Sequence, residues 1–231
     1  MGPSTDQANA RLTFLFDVDN TLLDNDAVVA DLRQYLGTQF GPEARDRYFA
    51  LFEQLRSDLG YADYLGALQR YRVEHPHDVR LLEVSAFLID YPFEKRVYPG
   101  ALDVLAACRR RGTVGILSDG DVVFQPQKVR RAGLWDAVGG NVLIYIHKEE
   151  MLGDVEARFP SDHYVFVDDK LRLCDAIKQT WGHRVTTVFP RQGHYATDPE
   201  IIRKYPSADR TAERIADLLA YTPTDWMAGA G

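Results

Sequence analysis

The sequence predicts an α/β fold, a doubly wound parallel sheet of five strands with a separate helical unit inserted into it. Three observations support this: short strand-like runs apolar on both faces, helical patterns between them, and one long stretch of helical patterns alone. The strand-like runs are Leu12–Val18, Thr113–Ser118, Asn141–Ile146, His163–Asp168 and Arg184–Phe189. Such runs are typical of parallel strands that helices cover on either side.

Helical patterns between these runs give the chain the strand–helix alternation of a doubly wound fold. Pro99–Arg111 begins with a proline suited to a first helical turn and ends before Gly112, which suits a helix C-cap. The later patterns are Lys148–Phe159, Leu171–Trp181 and Thr211–Tyr221. In the last of these, Ile215, Leu218 and Leu219 share one face, so the pattern predicts a helix.

One stretch breaks the alternation, because it is too long for a simple crossover between strands. Between about Asp24 and Val97 the sequence has several helical patterns and no convincing strand. The patterns are Val28–Leu36, Ala44–Leu59, Tyr64–Tyr71 and Asp78–Ile89, with Asp78 as a candidate N-cap. We therefore expect a Rossmann-like core formed by residues 11–23 and 98–222, and a helical cap formed by residues 24–97.

The composition argues against several functional classes. The 231 residues have a net charge of -7, whereas a nucleic-acid partner would need a basic face. No apolar run approaches the ~20 residues that span a bilayer, and the polar segment before Leu12 is unlike a signal peptide. Cys108 and Cys174 lack the spacing of a metal or redox pair and are expected to be reduced and buried. These features predict a cytoplasmic protein without nucleic-acid or membrane partners and leave its oligomeric state open.

The first strand-like run ends in two acids. Asp17 and Asp19 are two residues apart, so in a strand they point the same way, at the edge where open α/β sheets bind ligands. Two like charges this close raise the pKa of one carboxyl unless a cation lies between them. Aspartates also follow strands because they form turns, so this pair alone leaves a structural role open.

A second pair of acids favours the functional interpretation. Asp168 and Asp169 end the fourth run, and a parallel sheet would bring them to the same edge as the first pair. Four carboxylates at one edge are costly without a cation. Magnesium prefers carboxylate and water oxygens, and it is therefore the expected cofactor.

Two further segments offer groups that could bind an anion at this edge. Ser118, Asp119 and Gly120 follow the second run and provide a hydroxyl and backbone amides, although an Asp-Gly pair is also common in plain turns. Lys148 follows the third run and would add a cation, although alone it could equally be a solvated lysine at a helix start. Their positions, each after a strand, make the combination informative.

Together these segments resemble the four motifs of the haloacid dehalogenase-like superfamily of hydrolases. The matching residues, in chain order, are Asp17-x-Asp19-x-Thr21, Ser118, Lys148 and Asp168-Asp169. The similarity extends from about Leu12 to Phe189, and the helical stretch resembles the cap that the family inserts between its first two motifs. The resemblance also implies the sheet order 5-4-1-2-3, with the first strand central.

The resemblance implies a magnesium-dependent phosphatase that acts on a small-molecule phosphate monoester. In that mechanism Asp17 attacks phosphorus and forms an aspartyl-phosphate, while Asp19 protonates the leaving oxygen and then activates water. The implied phosphate-binding residues are Ser118, Asp119, Gly120 and Lys148. The implied metal ligands are Asp17, the backbone carbonyl of Asp19, Asp168 and Asp169, with Asp169 the more direct of the last two. Because the dehalogenase branch of the family lacks the second aspartate, Asp19 favours phosphate chemistry.

Two positions depart from the family pattern. An additional acid often stands four residues beyond the principal metal ligand, where this chain has Leu173, and a proline often follows the lysine, where this chain has Glu149. Arg191 and His194, after the fifth run, are candidate substrate contacts. Two alternative functions stay open: a phosphomutase on the same scaffold, and a catalytically idle binding protein that keeps the fold.

Overall fold

The computed structural model describes residues 11–230 and contains a six-stranded parallel sheet. Its strands are β1 Leu12–Phe16, β2 Thr113–Asp119, β3 Val142–Tyr145, β4 His163–Val167, β5 Val185–Pro190 and β6 Arg210–Ala212. The spatial order is β3-β2-β1-β4-β5-β6, so β1 is central and pairs with β2 and β4. The doubly wound fold and the order of the five expected strands are confirmed, and the sheet has one strand more.

The helices fall into two groups. Those between β1 and β2 are α1 Asn25–Phe40, α2 Pro42–Leu59, α3 Tyr64–Glu74 and α4 Leu81–Asp90, followed by the 3-10 helix Phe93–Arg96. Those that follow are α5 Ala101–Arg109, α6 Phe124–Arg131, α7 Leu134–Ala137, α8 Leu152–Arg158, α9 Leu171–Trp181, α10 Gly193–Thr197, α11 Pro199–Ile202 and α12 Pro223–Trp226. Further 3-10 helices are Lys148–Glu150, Gly182–Arg184, Ile215–Ala220 and Ala228–Ala230.

Alternate residues of β1 pack on opposite faces of the sheet. Phe14 and Phe16 belong to a buried cluster shared with α5 and the inserted helices. Leu15 lies in a second cluster, with residues of α8 and α9. All three side chains are fully buried. Both faces of the central strand are therefore covered, which is why its sequence is apolar without alternation.

The stretch between β1 and β2 is helical, as predicted, and its two ends meet. Leu23 pairs antiparallel with Val97, and the N–H of Tyr98 donates to the carbonyl of Leu22 over 2.9 Å. We therefore propose that residues 24–97 act as a cap on a core formed by residues 11–23 and 98–222. The predicted start of the fourth helix at Asp78 is wrong, because α4 begins at Leu81 after a turn.

The C-terminal segment also differs from its prediction. Residues expected to begin the last helix form β6, which pairs with Val188–Pro190 of β5. The 3-10 helix that follows has a period of three residues. It therefore buries Ile215 and Leu218 but leaves Leu219 47% exposed. The helix expected at Lys148–Phe159 is similarly divided, into a 3-10 turn and α8.

Two smaller expectations can be compared with the structure. Cys108 and Cys174 are both buried and form no disulfide with any described residue. From residue 11 to residue 230, every helix is too short or too polar to cross a lipid bilayer.

Candidate active site

Three buried carboxylates meet at the carboxyl edge of the sheet. Asp17 follows β1, while Asp168 and Asp169 follow the neighbouring β4. One oxygen of each lies within 4.8 Å of the others. Asp17 Oδ2 and both carboxylate oxygens of Asp169 have no hydrogen-bond partner among residues 11–230. The sheet thus brings together three of the four acids that the sequence places at this edge.

Lys148 supplies a cation to this cluster. It lies beyond β3, where its backbone N–H donates to Asp119 Oδ1 over 2.8 Å. Its buried ammonium lies 2.5 Å from Asp17 Oδ1 and 2.7 Å from Asp168 Oδ2. Burial alone would lower the pKa of Lys148, but the carboxylates of Asp168 and Asp17 outweigh burial and raise it. Lys148 therefore stays charged and neutralises part of the acidic cluster.

The remaining negative charge fits a divalent cation. Burial raises the pKa of Asp168 to about 6 despite the nearby Lys148, and burial raises the pKa of Asp169 well above its usual value. A hard cation placed between these acids and Asp17 would contact the oxygens that have no hydrogen-bond partner. The donor atoms are all carboxylate oxygens, which are the ligands that Mg²⁺ prefers.

Asp19 lies beside the cluster on the wall of a cavity, with its side chain 26% exposed. Two residues of α6 donate hydrogen bonds to the Asp19 carboxylate. Lys128 Nζ donates to Oδ1 over 2.7 Å and to Oδ2 over 2.9 Å. Gln125 Nε2 donates to Oδ2 over 3.3 Å. Neither residue was predicted from the sequence. They are polar and buried, so α6 lacks the continuous apolar stripe that identifies an amphipathic helix. Their spacing of three residues on one helix face was the available signal.

The segment after β2 has more than one role. Ser118 is buried, and its Oγ accepts from Gln125 Nε2 over 3.0 Å. The Asp119 carboxylate accepts from the backbone N–H of Lys148, and burial raises the pKa of Asp119.

The Gly120 amide donates to the Tyr145 carbonyl over 2.9 Å, so this amide is not offered to an anion. Glycine is needed here because a Cβ would lie 2.7 Å from Gln125 Cβ. Phosphate binding by this segment stays a prediction.

The loop after the second acid connects the site to α1. Asn20 adopts a left-handed backbone with φ of 60°, and its Oδ1 accepts from the N–H groups of Asn25 and Asp26 over 3.0 and 3.1 Å. Thr21 Oγ1 accepts from the N–H of Asp169 over 3.1 Å. Asn20 therefore holds the start of α1, and the next residue, Thr21, holds the backbone of Asp169.

Asn20→Ala is expected to lower the free energy of unfolding by about 2 kcal/mol. About half of this is the loss of the two hydrogen bonds from the first amides of α1 to Asn20 Oδ1, and the rest is the left-handed backbone, which alanine tolerates poorly. Urea unfolding measures the change. Asn20→Gly is the matched control, because glycine loses the same hydrogen bonds but accepts the left-handed backbone. If both variants lost the same stability, the left-handed conformation would not matter.

A cavity with a volume of about 750 Å³ has Asp19 and Asp119, from the carboxyl edge of the sheet, in its lining. The segment between β1 and β2 contributes several basic and aromatic side chains to its lining, namely Arg33, Phe49, Phe52, Arg56, Tyr61 and Tyr64. From the core, Lys170 lines the cavity; burial would lower its pKa, but Asp169 and Asp17 raise it. His194 also lines the cavity, as the sequence suggested, whereas Arg191 pairs with Glu213 over 3.2 Å.

The two unusual positions of the motifs belong to the surrounding packing. Leu173 is fully buried in the cluster beneath α9. Glu149 lies 2.6 Å from Arg172. Asp175 is not among the acids that meet in the cluster, and its carboxylate accepts from Gln179 over 3.0 Å. The acidic cluster therefore consists of the residues that directly follow β1 and β4.

Comparisons with known proteins agree with this geometry. A family model described as haloacid dehalogenase-like hydrolase matches residues 12–179. A solved structure from Burkholderia xenovorans LB400, assigned to the haloacid dehalogenase-like hydrolases, is 62% identical to this chain. It has a TM-score of 0.89 and covers 92% of this chain and 99% of its own.

More distant structures show the same fold. The HAD-hydrolase YfnB from Bacillus subtilis, solved bound to magnesium, is 16% identical with a TM-score of 0.60, over 90% of this chain and 97% of its own. The L-2-haloacid dehalogenase from Xanthobacter autotrophicus is 18% identical with a TM-score of 0.60, over 89% of this chain and 96% of its own. Among curated proteins, none matches the chain.

Proposed function

Since the chain belongs to the haloacid dehalogenase-like hydrolases, we propose that it is a magnesium-dependent phosphatase for a small-molecule phosphate monoester. The observation that carries the proposal is the Asp19 carboxylate on the cavity wall, next to the buried cluster of Asp17, Asp168 and Asp169. Displacement of a halide needs no proton donor. Displacement of an alkoxide needs one, and Asp19 is a carboxyl group in the right region.

The first half of the reaction uses Asp17 and Asp19. Asp17 is the nucleophile, and Lys148 holds its Oδ1 in place. The bond from Asp17 to phosphorus forms as the bond to the leaving oxygen breaks, and Asp19 gives that oxygen a proton. Lys148 stabilises the charge that develops on the phosphoryl group.

The second half regenerates the enzyme. Asp19 takes a proton from water as the water oxygen attacks phosphorus, and the bond from phosphorus to Asp17 breaks, which releases phosphate. Mg²⁺, held by Asp17, Asp168, Asp169 and the backbone carbonyl of Asp19, would supply positive charge beside the phosphoryl oxygens.

Dehalogenation is the competing activity, because solved relatives include L-2-haloacid dehalogenases. Those relatives are 18% identical to this chain, a level at which the likeness shows the fold alone. In a dehalogenase Asp17 would attack carbon, and the halide would leave without a proton. The Asp19 carboxylate and the unpartnered oxygens of Asp169 would then have no function.

The proposal is tested by a screen of a few dozen phosphate monoesters and a set of 2-haloacids. Each is assayed with Mg²⁺ and with a chelator, and Asp17→Asn is the blank. We expect free phosphate from at least one ester, only with metal and only from the wild type. Halide release without phosphate release would overturn the proposal in favour of a dehalogenase. An isomerised ester would indicate a phosphomutase, and no turnover at all would favour a binding protein.

Mg²⁺ is expected to raise the melting temperature, and to raise it more near pH 7.5 than near pH 5. The pKa of Asp168 is about 6 and that of Asp169 is raised well above normal, so at about pH 5 protons compete for the metal-binding oxygens. At about 100 times its Kd, a ligand adds about 2.7 kcal/mol, or about 5 to 11 °C for a chain of this size. Differential scanning fluorimetry measures the shift.

The sign of this pH dependence follows from the raised pKa values. Without metal, the folded state keeps protons that the unfolded state has released, so this contribution to stability falls as pH rises from about 4 through about 6. Bound Mg²⁺ offsets this loss of stability at neutral pH, because its positive charge stabilises the ionised carboxylates. Asp169→Asn should abolish the shift. A shift that is equal at both pH values, or that persists in Asp169→Asn, would contradict a metal site here.

A further inference from the structure

Lys128 is a buried cation outside the motifs that carry the proposed chemistry. It lies on α6 and its side chain is 0% exposed. Its ammonium donates to both carboxylate oxygens of Asp19, over 2.7 and 2.9 Å, and to Asn25 Oδ1 over 3.0 Å. It also lies 5.4 Å from the ring centre of Phe124 and 5.8 Å from that of Tyr64. An ammonium has three donors, and each has an acceptor here.

This arrangement fixes the direction of the Asp19 side chain. A carboxylate held through both oxygens by one buried donor has little freedom to rotate. Gln125 Nε2 restricts it further, since it contacts Asp19 Oδ2 over 3.3 Å and Ser118 Oγ over 3.0 Å. A buried ion pair is weak evidence for a stabilising role, because desolvation offsets the attraction. Positioning of a side chain that faces the cavity is a better explanation of this pair.

The same lysine connects Asp19 to the inserted helices. Asn25 is the first residue of α1, and its Nδ2 donates to the Tyr64 hydroxyl over 3.3 Å. Tyr64 is the first residue of α3 and lines the cavity. A hydrogen-bonded chain therefore runs from Asp19 through Lys128 and Asn25 to Tyr64, a second side chain that lines the cavity.

We propose that Lys128 is a positioning residue, which orients the Asp19 carboxylate for proton transfer and ties its orientation to the inserted helices. The inference rests on the proposed function, because it assumes that Asp19 transfers protons to and from the reacting oxygens. Lys128 acts only through Asp19. Its loss should therefore lower kcat, leave KM nearly unchanged, and have no further effect once Asp19 cannot transfer a proton.

The test is a double-mutant cycle with glycerol phosphate and Mg²⁺, because the alkoxide that leaves from this ester needs a proton. Lys128→Met is expected to lower kcat about 100-fold, within the range that a general acid or base contributes, with KM changed less than about 3-fold. Lys128→Arg, which keeps the charge and donors, should recover part of the loss. In an Asp19→Asn background, Lys128→Met should change kcat by less than about 3-fold, because the two changes remove the same function.

Lys178→Met is the matched control, since Lys178 also pairs with an aspartate, Asp209, over 3.0 Å but lines no part of the cavity. It should leave kcat within about 3-fold of the wild type. The proposal is overturned if Lys128→Met lowers kcat equally in both backgrounds, or changes KM alone. If Lys128→Met does not fold, Lys128→Arg carries the same cycle: its loss of kcat must vanish in the Asp19→Asn background.

The wild type is assayed first, which separates the two proposals. If it hydrolyses no phosphate ester, the proposed function fails and the role of Lys128 fails with it. If it hydrolyses an ester in an Asp17-dependent reaction but Lys128→Met has normal kcat, only the role of Lys128 is overturned.

Discussion

Asp17→Asn is expected to lower kcat for every phosphate ester that the protein hydrolyses by at least about 10⁴-fold, because an amide cannot form the aspartyl-phosphate. The substitution keeps the volume of the side chain. It also leaves an acceptor for Lys148, whose ammonium lies 2.5 Å from Asp17 Oδ1. Steady-state phosphate release measures kcat. Asp175→Asn makes the same exchange on α9 and should leave kcat within about 2-fold.

Asp17→Asn is also expected to keep the fold, which distinguishes loss of the nucleophile from loss of structure. Asp17 lies close to Asp168 and Asp169, and these like charges repel in the metal-free protein. Removal of one carboxylate relieves that repulsion and offsets the weaker attraction to Lys148. The melting temperature in a chelator should therefore equal or exceed that of the wild type. A fall of more than about 5 °C would mean that the lost activity reports misfolding.

Lys148→Met is expected to impair both activity and stability. Loss of a group that stabilises the developing charge should lower kcat by about 10² to 10³-fold. The variant also leaves Asp17 and Asp168 buried without their shared partner, and such a loss costs about 3 to 5 kcal/mol. Chemical denaturation in a chelator measures the stability, and single-turnover phosphate release measures the chemical step.

The pH dependence of this variant identifies the cause of its instability. Lys148 lowers the pKa values of Asp168 and Asp169, so without it these pKa values rise further, the folded state binds more protons, and its stability falls as pH rises. The stability that Lys148→Met loses relative to the wild type should therefore be largest near pH 7.5 and smaller near pH 5. Lys178→Met should show a smaller loss, because Lys178 is 32% exposed. A pH-independent difference for Lys148→Met would indicate a packing defect instead.

The acids of the candidate site were predictable because the strands that carry them are buried on both faces. A parallel strand covered by helices leaves an uninterrupted apolar run, so the polar residues that end it are conspicuous, as at Asp17 and Asp168. The order of the strands did not follow from any such pattern. It came from the resemblance of the motifs, which the comparisons and the sheet confirm.

The features that were missed depend on tertiary contacts. Lys128 is buried because Asp19 and Asn25 neutralise and bind its ammonium, and neither neighbour is close to it in sequence. β6 is three residues long and is a strand because β5 offers it an open edge. Gly120 resembles an anion-binding glycine, but its position is determined by close approach to Gln125. Short sequence patterns indicate hydrophobicity and turn preference, but they do not indicate contacts between residues that are distant in sequence.

The meeting of the two ends of the helical insertion makes that unit exchangeable. Leu22 and Tyr98 are joined by one backbone hydrogen bond, so the core chain would need only a short turn to bypass everything between them. A helical unit from a relative could be grafted at this junction without moving any strand. Side chains such as Arg56 and Tyr64 would be replaced, while Asp17 and Lys148 would stay in place. Ligand preference could then diversify while the nucleophile is inherited unchanged, provided that the grafted unit keeps an acceptor for Lys128 where Asn25 now stands.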